Sequence, residues 1–300
     1  AYGSRFQVSQ GIVGGIVATT REKIYLYDHQ GNLFPNWPVS IVRQSSGWLS
    51  GTFRDDDETA VVADVDGDNV DEIIYGAYYM LMLDAMGQEK GGKKVTQTAG
   101  LFESLMAVAD VNNDGKKEIA MLSGSTNFDK LEFNVLLYDH KGAIMPGWPQ
   151  KLATFTGVAY RQQPHVTIGD VDGDPFLEII VSLVQNGKVY VFNHDGSLVS
   201  GWPKEFAETG IFAARTPVVG DLTNDGKEDI VFSHVNKVSG KIEQYAFKGD
   251  GSTIPNWPLQ DAGSAGHEVL IVDFDDSLRI PEPNNNVIDV IVDWVSWHGY

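Results

Sequence analysis

Five times along its 300 residues the chain writes one short acidic loop, and this repetition restricts the possible folds more than any other feature. The copies are Asp64-Val-Asp66-Gly-Asp68-Asn-Val-Asp71-Glu72, Asp110-Val-Asn112-Asn-Asp114-Gly-Lys-Lys-Glu118, Asp170-Val-Asp172-Gly-Asp174-Pro-Phe-Leu-Glu178 and Asp221-Leu-Thr223-Asn-Asp225-Gly-Lys-Glu-Asp229. A decayed fifth begins at Asp273-Phe-Asp275. Loops I to V start 46, 60, 51 and 52 residues apart. A second signature lies between them: an aromatic residue, Asp or Asn, His, any residue and Gly, followed shortly by Trp-Pro. It occurs at Tyr27-Asp28-His29 to Trp37-Pro38, at Tyr138-Asp139-His140 to Trp148-Pro149 and at Phe192-Asn193-His194 to Trp202-Pro203. A variant runs from Phe247 to Trp257-Pro258, and a copy without tryptophan stands at Asp84 to Gly87.

Short apolar runs precede each loop, such as Val166-Thr-Ile168, and β-branched runs follow it, such as Ile179-Ile-Val181. A further strand then ends in Tyr or Phe, and a last one follows Trp-Pro. The unit is four short strands bounded by turn residues, with no useful stretch of 3.6-residue periodicity. A period near 50 with four strands per unit predicts an all-β chain of β-propeller blades, because a lone blade cannot bury both of its faces. The N-terminal segment carries later strands without an acidic loop, and the C-terminal segment carries a loop without Trp-Pro. The expectation is one propeller domain over 1–300, with blades near 49–98, 101–152, 160–206 and 212–260. A composite of 266–300 with 11–43 makes the fifth and closes the ring.

Oxygen-bearing side chains fall at loop positions 1, 3, 5 and 9. They are Asp64, Asp66, Asp68 and Glu72, then Asp110, Asn112, Asp114 and Glu118, then Asp170, Asp172, Asp174 and Glu178, then Asp221, Thr223, Asp225 and Asp229. Asp273 and Asp275 begin the same pattern in loop V. Several carboxylates in one tight loop repel one another unless a cation sits among them. Hard oxygen donors at alternate positions, completed by a backbone carbonyl and water, suit calcium better than the stricter octahedron of magnesium. The pattern predicts about four structural calcium ions. It is not an EF-hand, which needs a bidentate Glu at position 12, where this chain has Tyr75, Met121, Val181 and Phe232.

The chain has 41 acidic against 22 basic residues and a net charge of −19. Such a surface does not displace the counterions of nucleic acid or settle on anionic lipid. No apolar run approaches the roughly 20 residues that span a bilayer. Nearly half of the acids lie in the loops, so much of the charge belongs to cation binding. Cysteine is absent, which excludes thiolate chemistry and zinc–thiolate sites. The start at Ala1, with no basic-then-apolar leader, reads as a mature chain or an excised domain.

The loops together with the interleaved Gly-Trp-Pro turn resemble the FG-GAP or VCBS-type repeat, also found in the integrin α-subunit propeller, over nearly the whole chain from about Gly11. The resemblance is strongest to secreted bacterial versions. It implies calcium ions that stiffen the outer loops, and an extracellular or cell-surface location. The family includes adhesion modules, lectins, accessory domains of secreted hydrolases and some polysaccharide lyases, so it identifies the scaffold more sharply than the task.

His29, His140 and His194 recur at one turn position, which assigns them to turn structure. The tryptophans of Trp-Pro are assigned to packing between blades, with sugar stacking as the alternative. Arg161, His165, Arg215 and His267 lie just before first strands and are candidates for one end of an axial channel. Trp294 and Trp297 near the C-terminus are candidates for a specific contact. No Gly-x-Ser-x-Gly elbow, phosphate loop or His-Glu-x-x-His motif is present. The leading expectation is a non-catalytic module that binds a carbohydrate or protein at a cell surface or matrix. One alternative is a polysaccharide lyase with His as base and Arg neutralising a carboxylate. Another is a structural accessory domain attached to other domains of one parent chain.

Overall fold

The computed structural model describes residues 5–8, 11–20, 22–41, 60–76, 79–90, 95–96, 106–127, 130–155, 165–183, 187–206, 216–236, 241–261, 269–273 and 288–292. All of its regular structure is β, with no helix among the described residues. Two compact units divide the chain, Ala1–Val158 and Ala159–Tyr300.

The first unit holds a two-stranded sheet, Arg5–Val8 with Gly11–Gly14, and a three-stranded one, Ile16–Thr19, Lys23–Tyr27 and Val39–Ser40. Two four-stranded antiparallel meanders follow. Blade I is Ala60–Ala63, Glu72–Gly76, Tyr79–Leu83 and Val95–Thr96. Blade II is Ala107–Ala109, Glu118–Asn127, Lys130–Tyr138 and Gln150–Phe155. The second unit holds two more meanders. Blade III is His165–Gly169, Glu178–Leu183, Lys188–Phe192 and Lys204–Glu205. Blade IV is Val218–Gly220, Asp229–Val235, Ile242–Phe247 and Leu259–Asp261. A last pair, Val269–Asp273 with Ile288–Val292, completes this unit.

These are the four-stranded blades of the β-propeller class that the repeat predicts. The middle hairpin of blade II, 118–138, is longer than its counterparts, and it takes up part of the 60-residue interval between loops II and III.

In blades I to IV the described side chains at the start of the second strand are buried on both faces, and the period of two sorts them between two cores. Ile73 and Tyr75 pack with Ile24, Leu26 and Trp37, whereas Ile74 between them packs with Ile119, Met121 and Tyr138 of blade II. In blade IV, Ile230 and Phe232 join Ile180, Val191 and Trp202 of blade III, and Val231 turns to a separate cluster beside Ile271. Within each unit the cores therefore lie between successive sheets. Each fully buried aliphatic or aromatic side chain there contributes about 1.5–3 kcal/mol. The residues at loop position 12, Tyr75, Met121, Val181 and Phe232, are wholly buried in these layers and unable to serve as ligands.

The Trp-Pro turn joins neighbouring sheets. Trp37 and Trp202 are buried, and their indole N–H groups donate to the carbonyls of Ala85 at 2.8 Å and Gly249 at 2.7 Å, in the next blade's turn. Trp148 is equally buried. Packing, not an exposed sugar platform, is the role of these rings. The Trp-Pro bond is cis in all four copies. The tryptophan-less turn at Asp84–Gly87 closes like the others, with Gly87 N–H donating to Asp84 O at 3.0 Å.

Candidate cation-binding loops

Each of the acidic loops I to IV folds around its own carboxylates. The position-1 Asp accepts backbone N–H bonds from positions 4 to 6: Gly67, Asp68 and Asn69 to Asp64, Asp114 and Gly115 to Asp110, Asp225 and Gly226 to Asp221, all at 2.8–3.1 Å. In loop III only Gly173 donates to the Asp170 carboxylate, at 2.7 Å, because Pro175 at position 6 has no N–H and the Asp174 N–H turns to Asp172 instead. In loops I, II and IV positions 4 and 6 are left-handed, which explains Gly or Asn there: Gly67 and Asn69, Asn113 and Gly115, Asn224 and Gly226 all have positive φ, whereas in loop III Gly173 alone does, because proline fixes φ at position 6. The position-5 acid accepts from position 7, as Asp68 does from Val70 and Asp174 from Phe176.

Position 9 opens the following strand and turns back into the loop. One oxygen of Glu72, Glu118, Glu178 and Asp229 accepts the N–H of position 2, from Val65, Val111, Val171 and Leu222, at 2.9–3.1 Å. All four acids are at most 1% exposed. Burial therefore raises each of their pKa values, and the neighbouring carboxylates add to it. Glu178, facing Asp172, Asp174 and Asp170, and Glu118, facing Asp114 and Asp110, are each pushed up to about 7. Asp229 rises for the same reason.

The fit to a hard cation is best in loop III. Asp170, Asp172 and Glu178 offer oxygens all within 4.8 Å of one another, and Glu178 Oε1 is buried with no hydrogen-bond partner. A buried carboxylate oxygen without a donor costs several kcal/mol unless a charge compensates it. Dense hard oxygen with one orphan is what calcium coordinates. Loop II has no acid at position 3: Asn112 Nδ2 lies 3.3 Å from Asp114 Oδ2, and its Oδ1 accepts the Asp114 N–H. In loop I, Asp64, Asp66 and Glu72 converge just as closely, but the Lys90 ammonium stands among the acids. In loop IV, Lys248 reaches Asp225 at 2.7 Å, and Thr223 contributes only a hydroxyl.

The loops also tie neighbouring blades. Glu228 Oε2 accepts Asp170 N–H at 2.8 Å while Glu228 N–H donates to Asp170 O at 2.8 Å, so loop IV clamps the start of loop III. Lys227 donates to the Asp172 carbonyl. In the first unit, Lys117 N–H donates to Val65 O at 2.9 Å. Two of the repeated histidines touch position 7 of their own blade's loop: His140 Nε2 lies 3.1 Å from Lys116 Nζ, and the His194 ring 4.1 Å from that of Phe176.

Of the channel candidates, His165 starts the first strand of blade III, and its Nδ1 is 2.8 Å from Thr216 Oγ1. Arg161, Arg215, His267, Trp294, Trp297 and Asp275 lie outside the described residues. Asp273 ends a strand. Two participants escape a reading by loop position. Glu228 sits within loop IV but serves loop III. Lys90 lies 18 residues beyond Glu72, and its signal is a lysine where other repeats place an apolar residue.

Residues 170–232, from the first Asp of loop III to Phe232 of blade IV, match the FG-GAP-like repeat family. No curated protein matches the chain. Among solved structures, a Bacillus licheniformis rhamnogalacturonan lyase aligns over 90% of this chain and 63% of its own, at 14% identity and a TM-score of 0.40. The Dos1 propeller aligns over 89% and 64% at 10% identity and a TM-score of 0.47. The Aleuria aurantia lectin, in complex with α-methyl-L-fucoside, aligns over 85% and 82% at 13% identity and a TM-score of 0.37. The chain thus spans less than two thirds of the lyase's length.

Proposed function

We propose that this chain, whose residues 170–232 carry an FG-GAP-like repeat, is a calcium-stabilised extracellular module that binds a carbohydrate or a protein without catalysis. The observation that carries the reading is Glu178. Its buried Oε1 has no donor, and it faces Asp170, Asp172 and Asp174 in the loop that opens its strand. A calcium ion would be held by these four side chains, would supply the missing positive charge and would stiffen the loop. Extracellular modules work with calcium affinities of about 10⁻⁴–10⁻³ M, which mixed loops with Asn, Thr or Pro in the pattern can reach.

Ligand recognition then falls to surfaces that the stiffened loops and turns hold in place. The net charge of −19 supports a partner other than nucleic acid or anionic membrane. The partner sits on a cell surface or in a matrix, and further domains of a parent chain are compatible with that role. A glycan array probed with the calcium-loaded protein and with a chelated control tests the carbohydrate arm. Calcium-dependent binding to a restricted set of glycans, without turnover, is the expected result. Depolymerisation of a bound polysaccharide would replace binding with lyase activity as the function, and silence across the array would leave protein as the ligand class.

A further inference from the structure

We propose that Lys90 is the resident cation of loop I, an ammonium built into the chain where loop III awaits a divalent ion, so that loop I holds its structure without calcium. The inference rests on the reading of these loops as cation sites and divides them by what neutralises each.

Three contacts place the ammonium. Lys90 Nζ lies 2.6 Å from Glu72 Oε1, 3.1 Å from Asp66 Oδ2 and 3.3 Å from Asp68 Oδ2. These are the acids of positions 9, 3 and 5. Glu72 Oε1 is the counterpart of the orphaned Glu178 Oε1, so Lys90 satisfies the oxygen that loop III leaves bare. Among the described residues, no ammonium lies within ion-pair distance of a loop III carboxylate. Burial pulls the Lys90 pKa down, but the Glu72 and Asp66 carboxylates outweigh it and hold the ammonium above its usual range.

The repeat explains how a lysine arrives there. Lys90 N–H donates to Met82 O, and the same bond is made by Phe34 to Leu26, Met145 to Leu137, Val199 to Val191 and Ile254 to Ala246. The position follows each turn and is otherwise apolar. In blade I the apolar stem is kept and an ammonium is added at its tip. Lys248 is a weaker analogue from a different position. It reaches only Asp225 and Thr223, from a more exposed site, and leaves buried Asp229 to backbone N–H groups. Access does not decide the matter, since a cavity of about 400 Å³ lined by Asp66, Asp68 and Lys90 opens beside loop I. An external ion must therefore compete with a tethered charge of high effective concentration.

Hydrogen exchange on the intact chain, in calcium and after chelation, reads each loop separately. In the wild type, amides of 170–183 should lose protection roughly tenfold or more on chelation, while those of 64–76 change by less than about twofold. In Lys90→Met, which restores the residue type of Met145, 64–76 should become calcium-dependent and bound calcium should rise by one ion per chain. Equal loss at both loops in the wild type, or a Lys90→Met loop I indifferent to calcium, overturns the proposal. If 170–183 ignores calcium in the wild type, the cation-site reading of loop III fails. A calcium-dependent loop I in Lys90→Met then still supports the role of Lys90. Should Lys90→Met fail to fold, the wild-type comparison decides alone.

Discussion

Glu178 Oε2 accepts the Val171 N–H at 2.9 Å, while Oε1 of the same carboxylate is buried without a partner. One oxygen builds the loop and the other waits for a charge. Glu178→Gln keeps an acceptor for Val171 and removes the charge. The metal-free variant should therefore melt at or above the wild type. Its stabilisation by calcium should shrink by about the worth of one site, roughly 2.7 kcal/mol at a hundredfold excess over Kd. Differential scanning fluorimetry with and without calcium checks both halves. A variant that gains as much from calcium as the wild type would remove Glu178 from the site.

The pH dependence of the metal-free protein follows from the same burial. Glu118 and Glu178 titrate near 7 when folded, against an ordinary 4.5. A carboxyl whose folded pKa is raised stabilises the fold below its unfolded value, and that contribution is lost as pH rises through the folded one. Each group weighs on the order of 3 kcal/mol across this window. Metal-free protein should therefore melt higher at pH 5 than at pH 8, and saturating calcium should narrow the gap. The double variant Glu118→Gln, Glu178→Gln should flatten the slope, which separates these groups from the general relief of negative charge. Greater stability at pH 8 in metal-free protein would contradict the assignment.

Trp202 donates its indole N–H to Gly249 O across the blade III–blade IV boundary. Trp202→Phe keeps an aromatic ring but leaves that carbonyl without its donor, at a cost of about 1–3 kcal/mol. The melting temperature should fall by several degrees in both the calcium-loaded and the metal-free state. Unchanged melting would mean that the indole contributes area alone.

Two turn glycines separate backbone strain from steric closure. Gly31 and Gly201 both have positive φ, yet a Cβ on Gly31 meets open space, while one on Gly201 collides with the Asp250 carbonyl of the next blade. Gly31→Ala should cost about 1 kcal/mol, the strain of a left-handed alanine. Gly201→Ala should cost severalfold more, because backbone cannot yield as a side chain can. Urea unfolding of the two variants checks the order, and equal costs would contradict the close approach of the blades.

The four-stranded unit is legible in the sequence because loop, strand and turn signals recur in one order. The loop donors are legible too, since turn formation alone does not require acids at positions 1, 3, 5 and 9 of one loop after another. The packing role of Trp37 and Trp202 follows from their fixed place after the turn. Lys90 is not legible by motif, because its stem behaves as the apolar residue expected there and only its tip reaches the loop. Glu228 is hidden for a related reason: it reads as one more loop IV acid, yet its carboxylate serves Asp170, 58 residues earlier. Long side chains that cross between repeats escape a reading made one repeat at a time.

The central claim is that calcium completes the loops that lack a built-in ammonium, loop III first among them, and so stabilises the fold. Melting of verified metal-free protein across a calcium titration tests it most directly. The melting temperature should climb steadily with the logarithm of calcium concentration above about 10⁻⁴–10⁻³ M, as binding to the folded state alone requires. A melting temperature that stays flat up to about 10⁻² M would contradict the account, since that range covers the affinities of extracellular calcium modules.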